Sequence, residues 1–99
     1  MDVTFRSAEL AALCNSERHL ADRWGVDAGR TVGRRLLELC AADVRSLHRL
    51  PRAEVSRNGQ GETIIDFGEV VVQGVISGDG ADTERIVITS LVVQGGVQE

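Results

Sequence analysis

The sequence of 99 residues predicts one α+β domain, spanning residues 1–99, in which a helical hairpin covers one face of a mostly antiparallel sheet. Two observations predict this class. Apolar residues recur with a period near 3.6 in the first half of the chain, and the period changes to 2 after Pro51. A helical pattern also stops at Gly25 and restarts at once, which indicates a tight corner between two helices.

The chain begins with a predicted strand and helix. Residues 1–6, MDVTFR, alternate apolar and polar side chains, as in a first strand. Ser7 precedes a run of good helix formers and is the expected N-cap of a helix that ends at Gly25. The segment CNS at residues 14–16 is expected to bend or recap this helix. Trp24, at its end, is expected to pack in the core or at the corner of the hairpin.

A second helix follows the corner. Asp27 is the expected N-cap, because its carboxylate would lie near the positive end of the new helix. The helix is expected to end between Asp43 and Leu47, since Pro51 forbids its continuation. Its buried stripe is predicted to consist of Ala28, Val32, Leu36, Leu39 and Cys40.

The remaining chain is predicted to form strands. The segments are AEVSR (53–57), GETIIDFG (61–68), EVVVQGVIS (69–77) and ERIVITSLVV (84–93). Gly68 indicates a tight hairpin, and SGDGAD (77–82) is expected to be a loop. The last strand is apolar, and at a sheet edge its unpaired backbone groups would promote aggregation. We expect it to be covered by a segment of a partner protein, by a second copy of the chain or by the chain's own first strand.

Charge and composition limit the classes of function. Residues 1–57 hold ten arginines against eight acidic residues, and residues 58–99 hold one arginine against seven. A strongly basic surface for nucleic acid would therefore be local to the first half of the chain. No apolar run approaches the roughly 18 residues of a membrane span, and no signal-peptide pattern begins the sequence. We expect a cytoplasmic protein without a membrane partner.

Two cysteines, Cys14 and Cys40, fall on predicted helical faces and are expected to be small buried hydrophobic residues. No CxxC or HxxxH spacing predicts a metal site, and no motif predicts a cofactor.

A set of residues concentrated in the helices, together with the turn SRNGQ at residues 56–60, carries a family resemblance. The helical and linking residues are Leu10, Cys14, Ser16, Glu17, Arg18, Trp24, Gly25, Gly29, Arg30, Arg35, Leu36, Glu38, Leu39, Ala41, Ala42, Leu47, Leu50 and Pro51. They resemble the RelE/ParE superfamily of bacterial type II toxins, with greatest similarity to its HigB-like, plasmid-maintenance killer branch. The resemblance implies a RelE-like fold.

The resemblance also implies a function and partners. Such toxins cleave mRNA in the ribosomal A site and are held silent by an antitoxin encoded beside them. The implied partners are therefore a cognate antitoxin, expected to be a helix-turn-helix protein, and the ribosome with its mRNA. A homodimer is left open.

RNA cleavage by such a toxin is attack of a ribose 2′-OH on the neighbouring phosphate, which needs proton-transfer groups and cations. The resemblance places these groups in the turn before the hairpin, on the following strand and near the C-terminus. The candidate catalytic residues are Arg57, Arg52 and His48. The candidate RNA-binding residues are Arg45, Arg49 and Asn58. Arg34 and Arg35 are further candidates for contact with ribosomal RNA, with a solvated helix face as the alternative.

The sequence departs from the family pattern where chemistry is expected. Glu69 and Val71 or Val72 stand where the strand cation should be, Asn58 stands where Lys is common, and residues 90–99 hold no Tyr or His. Arginine is too basic to act as a general base near neutral pH. Two functions therefore stay open. One is a toxin with a degenerate nuclease site, and the other is a non-catalytic RelE-fold binding protein, either a decayed toxin that binds an antitoxin or a ParE-like gyrase inhibitor.

Overall fold

The computed structural model describes residues 1–78 and 83–93, and within them five strands form one mixed sheet. The strands are β1 (Asp2–Phe5), β2 (Glu54–Arg57), β3 (Thr63–Asp66), β4 (Val70–Ser77) and β5 (Arg85–Val93). Their order is β1-β5-β4-β3-β2. Strands β2 to β5 pair antiparallel, and β1 pairs parallel with β5. The predicted α+β class, with a leading strand and a mostly antiparallel sheet, is confirmed.

Three α-helices and a 3-10 helix lie between β1 and β2. The α-helices are α1 (Ala8–Cys14), α2 (Glu17–Trp24) and α3 (Val26–Ala41). Ser7 is the N-cap of α1, where its hydroxyl oxygen accepts the Leu10 N–H at 3.0 Å. Ser16 caps α2 in the same way through the His19 N–H, at 3.4 Å. The predicted recapping at residues 14–16 is therefore confirmed, and it divides the first helical segment in two.

The corner between α2 and α3 is a single residue, Gly25, whose φ of 92° lies in the left-handed region that favours glycine. Gly25 is both the C-cap of α2 and the N-cap of α3. The predicted N-cap at Asp27 is wrong, because α3 already begins at Val26 and Asp27 lies in its first turn. Its carboxylate still lies at the positive end of the helix.

Helices α2 and α3 form the predicted hairpin, and they cross closely at Gly29. A Cβ added to Gly29 would lie 2.9 Å from the backbone carbonyl carbon of Leu20, so only glycine fits without a shift. Trp24 packs against the core while remaining partly exposed, with the Arg23 guanidinium 5.6 Å from its ring centre. Its predicted place at the hairpin corner is confirmed.

The second helical segment ends earlier than predicted. Helix α3 stops at Ala41, and a separate 3-10 helix spans Val44–Arg49. The Asp43 carboxylate accepts the Ser46 N–H at 2.9 Å, and the Ser46 hydroxyl accepts the Asp43 N–H at 3.2 Å. This reciprocal cap begins a new helical turn before Pro51, which is why the periodic pattern runs past the true end of α3.

The core lies between the helices and one face of the sheet. Its buried hydrophobic residues are Leu20, Val32, Leu36, Leu39, Ala42, Leu47, Ile65, Phe67, Val70, Val72, Ile86 and Ile88. Cys40 is exposed and Cys14 is half-buried, so the expectation that both are buried is wrong for Cys40. Burial raises the pKa of the Cys14 thiol. Within the described residues, no helix is long and apolar enough to cross a membrane.

The last strand is an interior strand, because β1 and β4 flank β5. Val3 pairs with Ile86 and Phe5 with Ile88. The chain's own first strand, one of the three elements expected to cover the last strand, pairs with it. Strand β2 forms one edge of the sheet and is exposed along its length. The loop predicted at residues 77–82 lies mostly outside the described residues.

Candidate functional site

A groove with a volume of about 700 Å³ lies between the 3-10 helix and the sheet, and two of the predicted site residues line it. We call it the arginine groove. Its described lining residues are Asp43, Val44, Arg45, Leu47, Val55, Ser56, Arg57, Thr63, Ile76, Ser77, Gly78 and Glu84. The groove brings together Arg45, a predicted RNA-binding residue, and Arg57, a predicted catalytic residue.

The fold positions the two arginines from different elements. Arg57 is the last residue of β2 and pairs with Thr63, which is buried on the helix-covered face. Because side chains of directly paired residues lie on the same face, Arg57 extends toward the helical layer. Arg45 lies on the 3-10 helix that the Asp43 cap begins. The two guanidinium groups are therefore attached to a sheet edge and to a capped turn.

Two carboxylates balance the charge of the arginine groove. Asp43 and Glu84 line it beside Arg45 and Arg57. The Ser46 hydroxyl and then its backbone N–H hold the pKa of Asp43 below its usual value. Glu84 accepts the Val44 N–H at 2.8 Å, which fixes it at the groove wall. The described lining therefore carries equal numbers of arginine and carboxylate side chains, and its field attracts a polyanion only weakly.

Three other predicted residues lie outside this groove. His48 and Arg49 are exposed on the 3-10 helix but do not line it. Arg52 follows the helix with a φ of 65°, and its side chain is 72% exposed. Its Nη1 atom lies 3.9 Å from Oε2 of Glu69. Glu69, which stands where a cation was expected, is therefore an ion-pair partner for an arginine.

Asn58 organises the turn between β2 and β3. Its Oδ1 atom accepts the N–H groups of Gln60 and Glu62 at 2.9 and 3.0 Å. Its Nδ2 donates to Oε1 of Glu62 at 3.1 Å. Both ends of the amide are engaged within the turn, which is the local role that asparagine side chains commonly take in turns.

The structure contains a polar cluster around Glu62 that the sequence patterns did not predict. The Glu62 carboxylate accepts hydrogen bonds from the side-chain amides of Gln73 and Asn58. The Thr89 hydroxyl donates to the carbonyl oxygen of Gln73 at 3.2 Å. The amide of Gln73 and then that of Asn58 hold the pKa of Glu62 below its usual value. The sequence signal was faint, because it consists only of an amide and an acid four residues apart across a glycine-containing turn.

Arg35 does not lie on a solvated helix face, which was the alternative that the sequence left open for it. It is buried, with 4% of its surface exposed. Its Nη1 donates to Glu38 Oε1 at 2.9 Å and to the carbonyl oxygen of Pro51 at 3.2 Å. Its Nη2 lies 3.8 Å from Oε1 of Glu69. Arg35 is therefore a buried link between α3, the segment after the 3-10 helix and the β3–β4 hairpin, whereas Arg34 is exposed.

The chemistry open to the arginine groove is binding of an anion. Two guanidinium groups and the hydroxyls of Ser56 and Ser77 can donate to phosphate oxygens. The described lining residues include no His, Cys, Tyr or Lys, and the two carboxylates, Asp43 and Glu84, are each engaged by a backbone N–H. No group of three or more His, Cys, Asp or Glu side chains that could hold a metal ion occurs in residues 1–78 and 83–93.

Comparison of the chain with protein-family models, with curated proteins and with solved structures gives no match.

Proposed function

We propose that this protein is the toxin component of a type II toxin–antitoxin system and resembles the HigB-like branch of the RelE/ParE superfamily. We further propose that it acts by binding its cellular target and that it cleaves RNA only weakly. The observation that carries the proposal is the composition of the arginine groove. Arg45 and Arg57 share it, Asp43 and Glu84 balance their charge, and His48 lies outside it. The arginine groove therefore offers two guanidinium groups that can bind phosphate, beside an incomplete set of the catalytic groups that the resemblance implies.

The order of elements supports the toxin assignment. A leading strand, a hairpin of helices and an antiparallel run of strands occur in the order that the sequence resemblance implies. The residues that carry the resemblance lie mostly in α1 to α3. Those helices build the scaffold, so they support the fold more strongly than they support the chemistry.

The residues of strand β4 support the proposal that the protein cleaves RNA only weakly. Strand β4, Val70–Ser77, holds no arginine, lysine or histidine, although the resemblance implies a cation at this place. Glu69, just before β4, pairs with Arg35 and Arg52. Each missing proton-transfer group costs about 10²–10⁴ in rate, so loss of two such groups leaves little of a family-like turnover.

A second function is a non-catalytic binding protein of the same fold, directed at a protein target such as gyrase. The balanced charge of the arginine groove favours it, because tight docking on ribosomal RNA would require an excess of cations. The two functions have different consequences in cells that express the protein. A residual nuclease yields codon-linked mRNA ends, and a protein-directed inhibitor arrests growth without them.

Induced expression in a bacterial host tests the proposal. We expect slowed growth, restored by co-expression of the small protein encoded by the neighbouring gene, and co-purification of that protein with the chain. A matched strain that expresses Arg45→Ala and Arg57→Ala together controls for the burden of expression. Normal growth with a folded wild-type protein at the same level, and no co-purification, would contradict the toxin assignment.

A further inference from the structure

The outer edge of strand β2 carries backbone groups that the sheet does not use. Asn58, directly after β2, donates its N–H to the carbonyl oxygen of Glu62 at 3.0 Å. Backbone groups of successive residues in an antiparallel strand point to opposite sides, so the even-numbered residues of β2 bond to β3. Val55 and Arg57 therefore direct their N–H and C=O groups away from the sheet. Within the described part of the chain, no residue bonds to these four groups and no strand lies beyond β2.

This edge is open to another strand. All four residues of β2 are exposed, and Val55 is a large apolar residue with 40% of its surface exposed. An exposed edge with unpaired N–H and C=O groups is a template for pairing with a second chain.

Strand β2 is its own complement in one antiparallel register, in which Ser56 lies opposite the partner's Ser56. Val55 then lies opposite the partner's Arg57, and the same pair forms again on the other side of the two-fold axis. These two pairs form four backbone hydrogen bonds, which engage all the outward groups of both strands. The two Ser56 hydroxyls face each other and can hydrogen-bond. Gly59 lies opposite Ala53, and neither residue has a side chain large enough to clash.

The adjacent registers fit less well. A register centred on Arg57 would place two arginines directly opposite each other, which is destabilising. A register centred on Val55 would pair Arg57 with Ala53, whose N–H already donates to the carbonyl oxygen of Leu50 at 3.0 Å. Only the register centred on Ser56 satisfies every outward group without opposing like charges.

We infer that two copies of the chain pair through β2 in this register, and that each arginine groove thereby gains Arg57 of the partner subunit. Val55 and Arg57 both line the groove, and Val55 pairs with the buried Ile65, so it lies on the helix-covered face. The partner's Arg57, which is opposite Val55, extends from the same face. The described lining would then hold three arginines against two carboxylates. The gain of a cation matters for phosphate binding, and this part of the inference rests on the proposed function.

Cysteine cross-linking tests the register. All variants carry Cys40→Ser, because Cys40 is exposed and would form intermolecular disulfides itself. In Ser56→Cys the two Cα atoms would be about 4.5 Å apart, within the range of a disulfide. Oxidised glutathione accepts the two electrons and the two protons that the thiols lose. We expect a covalent dimer on a non-reducing gel, and its return to monomer with a reductant.

Two other cysteine positions are the controls. Glu54→Cys changes an exposed residue on the same face of the same strand, but its two copies would be about 14 Å apart, too far for a disulfide. Val55→Cys reports the register centred on Val55. Cross-linking of either control as efficient as that of Ser56→Cys, or no cross-linking of Ser56→Cys, would overturn the inference.

Sedimentation of the uncross-linked chain measures the association itself. A contact of four residues is small, so we expect a weak dimer that forms over a concentration series up to about 0.5 mM. Val55→Pro removes an N–H that the pairing with β3 does not use, and it should weaken association at least about tenfold with little change in melting temperature. Val55→Thr keeps the N–H and should associate like the wild type. A wild-type chain that stays monomeric over the whole series would overturn the dimer.

A labelled RNA of about eight nucleotides tests the shared groove. Fluorescence anisotropy should show binding at least about tenfold tighter to oxidised, cross-linked Ser56→Cys than to the reduced protein at a concentration where it is monomeric. Adding Arg57→Ala to the cross-linked protein should remove the gain. Equal affinity of the oxidised and reduced forms would overturn the contribution of the partner's Arg57.

The outcomes separate this inference from the proposed function. If the chain arrests growth but Ser56→Cys does not cross-link, the dimer fails and the toxin assignment stands. If Ser56→Cys cross-links as expected but induced expression of the wild type leaves growth unchanged, the dimer is supported and the toxin assignment fails.

Discussion

The guanidinium of Arg35 lies over the ring of Phe67, 4.8 Å from the ring centre, although the two residues belong to opposite layers of the domain. Arg35 is on α3, and Phe67 directly follows β3. The contact places a cation on an aromatic face inside the core, where Glu38 and the Pro51 carbonyl oxygen satisfy Nη1. Nε of Arg35 is buried without a hydrogen-bond partner among the described residues. Removal of the Arg35 side chain would leave its partners unsatisfied and a space in the core.

Arg35→Ala should therefore lower the free energy of unfolding by about 3 kcal/mol, measured by urea denaturation. The matched control is Arg34→Ala, because Arg34 is the neighbouring arginine and is exposed. That change should stay within about 0.5 kcal/mol of the wild type. Equal effects of the two substitutions would show that Arg35 does not act as a buried link.

Two glycines of α3 provide a second matched pair. A Cβ at Gly29 would lie 2.9 Å from the Leu20 carbonyl carbon, so Gly29→Ala should force α2 and α3 apart and cost about 1–3 kcal/mol. At Gly33 the nearest atom would be 3.8 Å away, so Gly33→Ala should stabilise the protein by up to about 1 kcal/mol through helix propensity. Thermal melting of both variants checks the opposite signs, and the same sign for both would contradict the close helix crossing.

The carboxylates of Glu62 and Asp43 predict loss of stability in acid. Hydrogen bonds from Gln73 and Asn58 lower the pKa of Glu62, and those from Ser46 lower the pKa of Asp43. A lowered pKa in the folded state adds stability above the unfolded-state pKa, about 4, and that stability is lost as pH falls through the folded-state pKa.

Urea denaturation between pH 7 and pH 2.5 should show this decline in the wild type. Glu62→Gln should be less stable at pH 7 and should have a shallower acid decline, because one of the titrating groups is gone. Asp66→Asn is the control, because Asp66 lies at the far end of β3 and, among the described residues, accepts only the local Gly68 N–H. If the free energy of unfolding falls as steeply with acid in Glu62→Gln as in the wild type, Glu62 does not contribute to the decline.

Arg57 is predicted to matter for activity and little for stability. It is exposed at the end of β2, and an exposed arginine contributes little to folding free energy. Arg57→Ala should relieve growth arrest while the melting temperature changes by only a few degrees. Arg30→Ala, which changes an exposed arginine of α3 outside the arginine groove, is the control. Growth arrest that persists in Arg57→Ala would place the functional surface elsewhere.

Local signals in the sequence predicted most of the fold. The change of period after Pro51, the caps at Ser7 and Ser16 and the glycine at residue 25 each act over a few residues, so the sequence displays them directly. The parallel pairing of β1 with β5 joins residues more than 80 positions apart, and no local pattern specifies it. The exact start of α3 depended on the conformation of Gly25.

The sites were harder to predict because they depend on which side of a helix faces the core. Leu36 and Leu37 are adjacent in sequence, yet one is buried and the other is exposed. The same ambiguity placed Cys40 on the wrong stripe and hid the burial of Arg35. Arg45 and Arg57 share a groove only because the 3-10 helix packs beside β2. Residue type indicated the chemistry, and tertiary packing decided which side chains meet.

The most direct test of a toxin-like protein with a degenerate nuclease site is mapping of mRNA 5′ ends on ribosomes after induced expression. An active RelE-type nuclease, expressed to the same level, serves as the positive control. We predict that growth slows while codon-linked ends stay near the uninduced background. Codon-linked cleavage as strong as in the positive control, and still present after Arg52→Ala, Arg57→Ala and His48→Ala, would contradict this account.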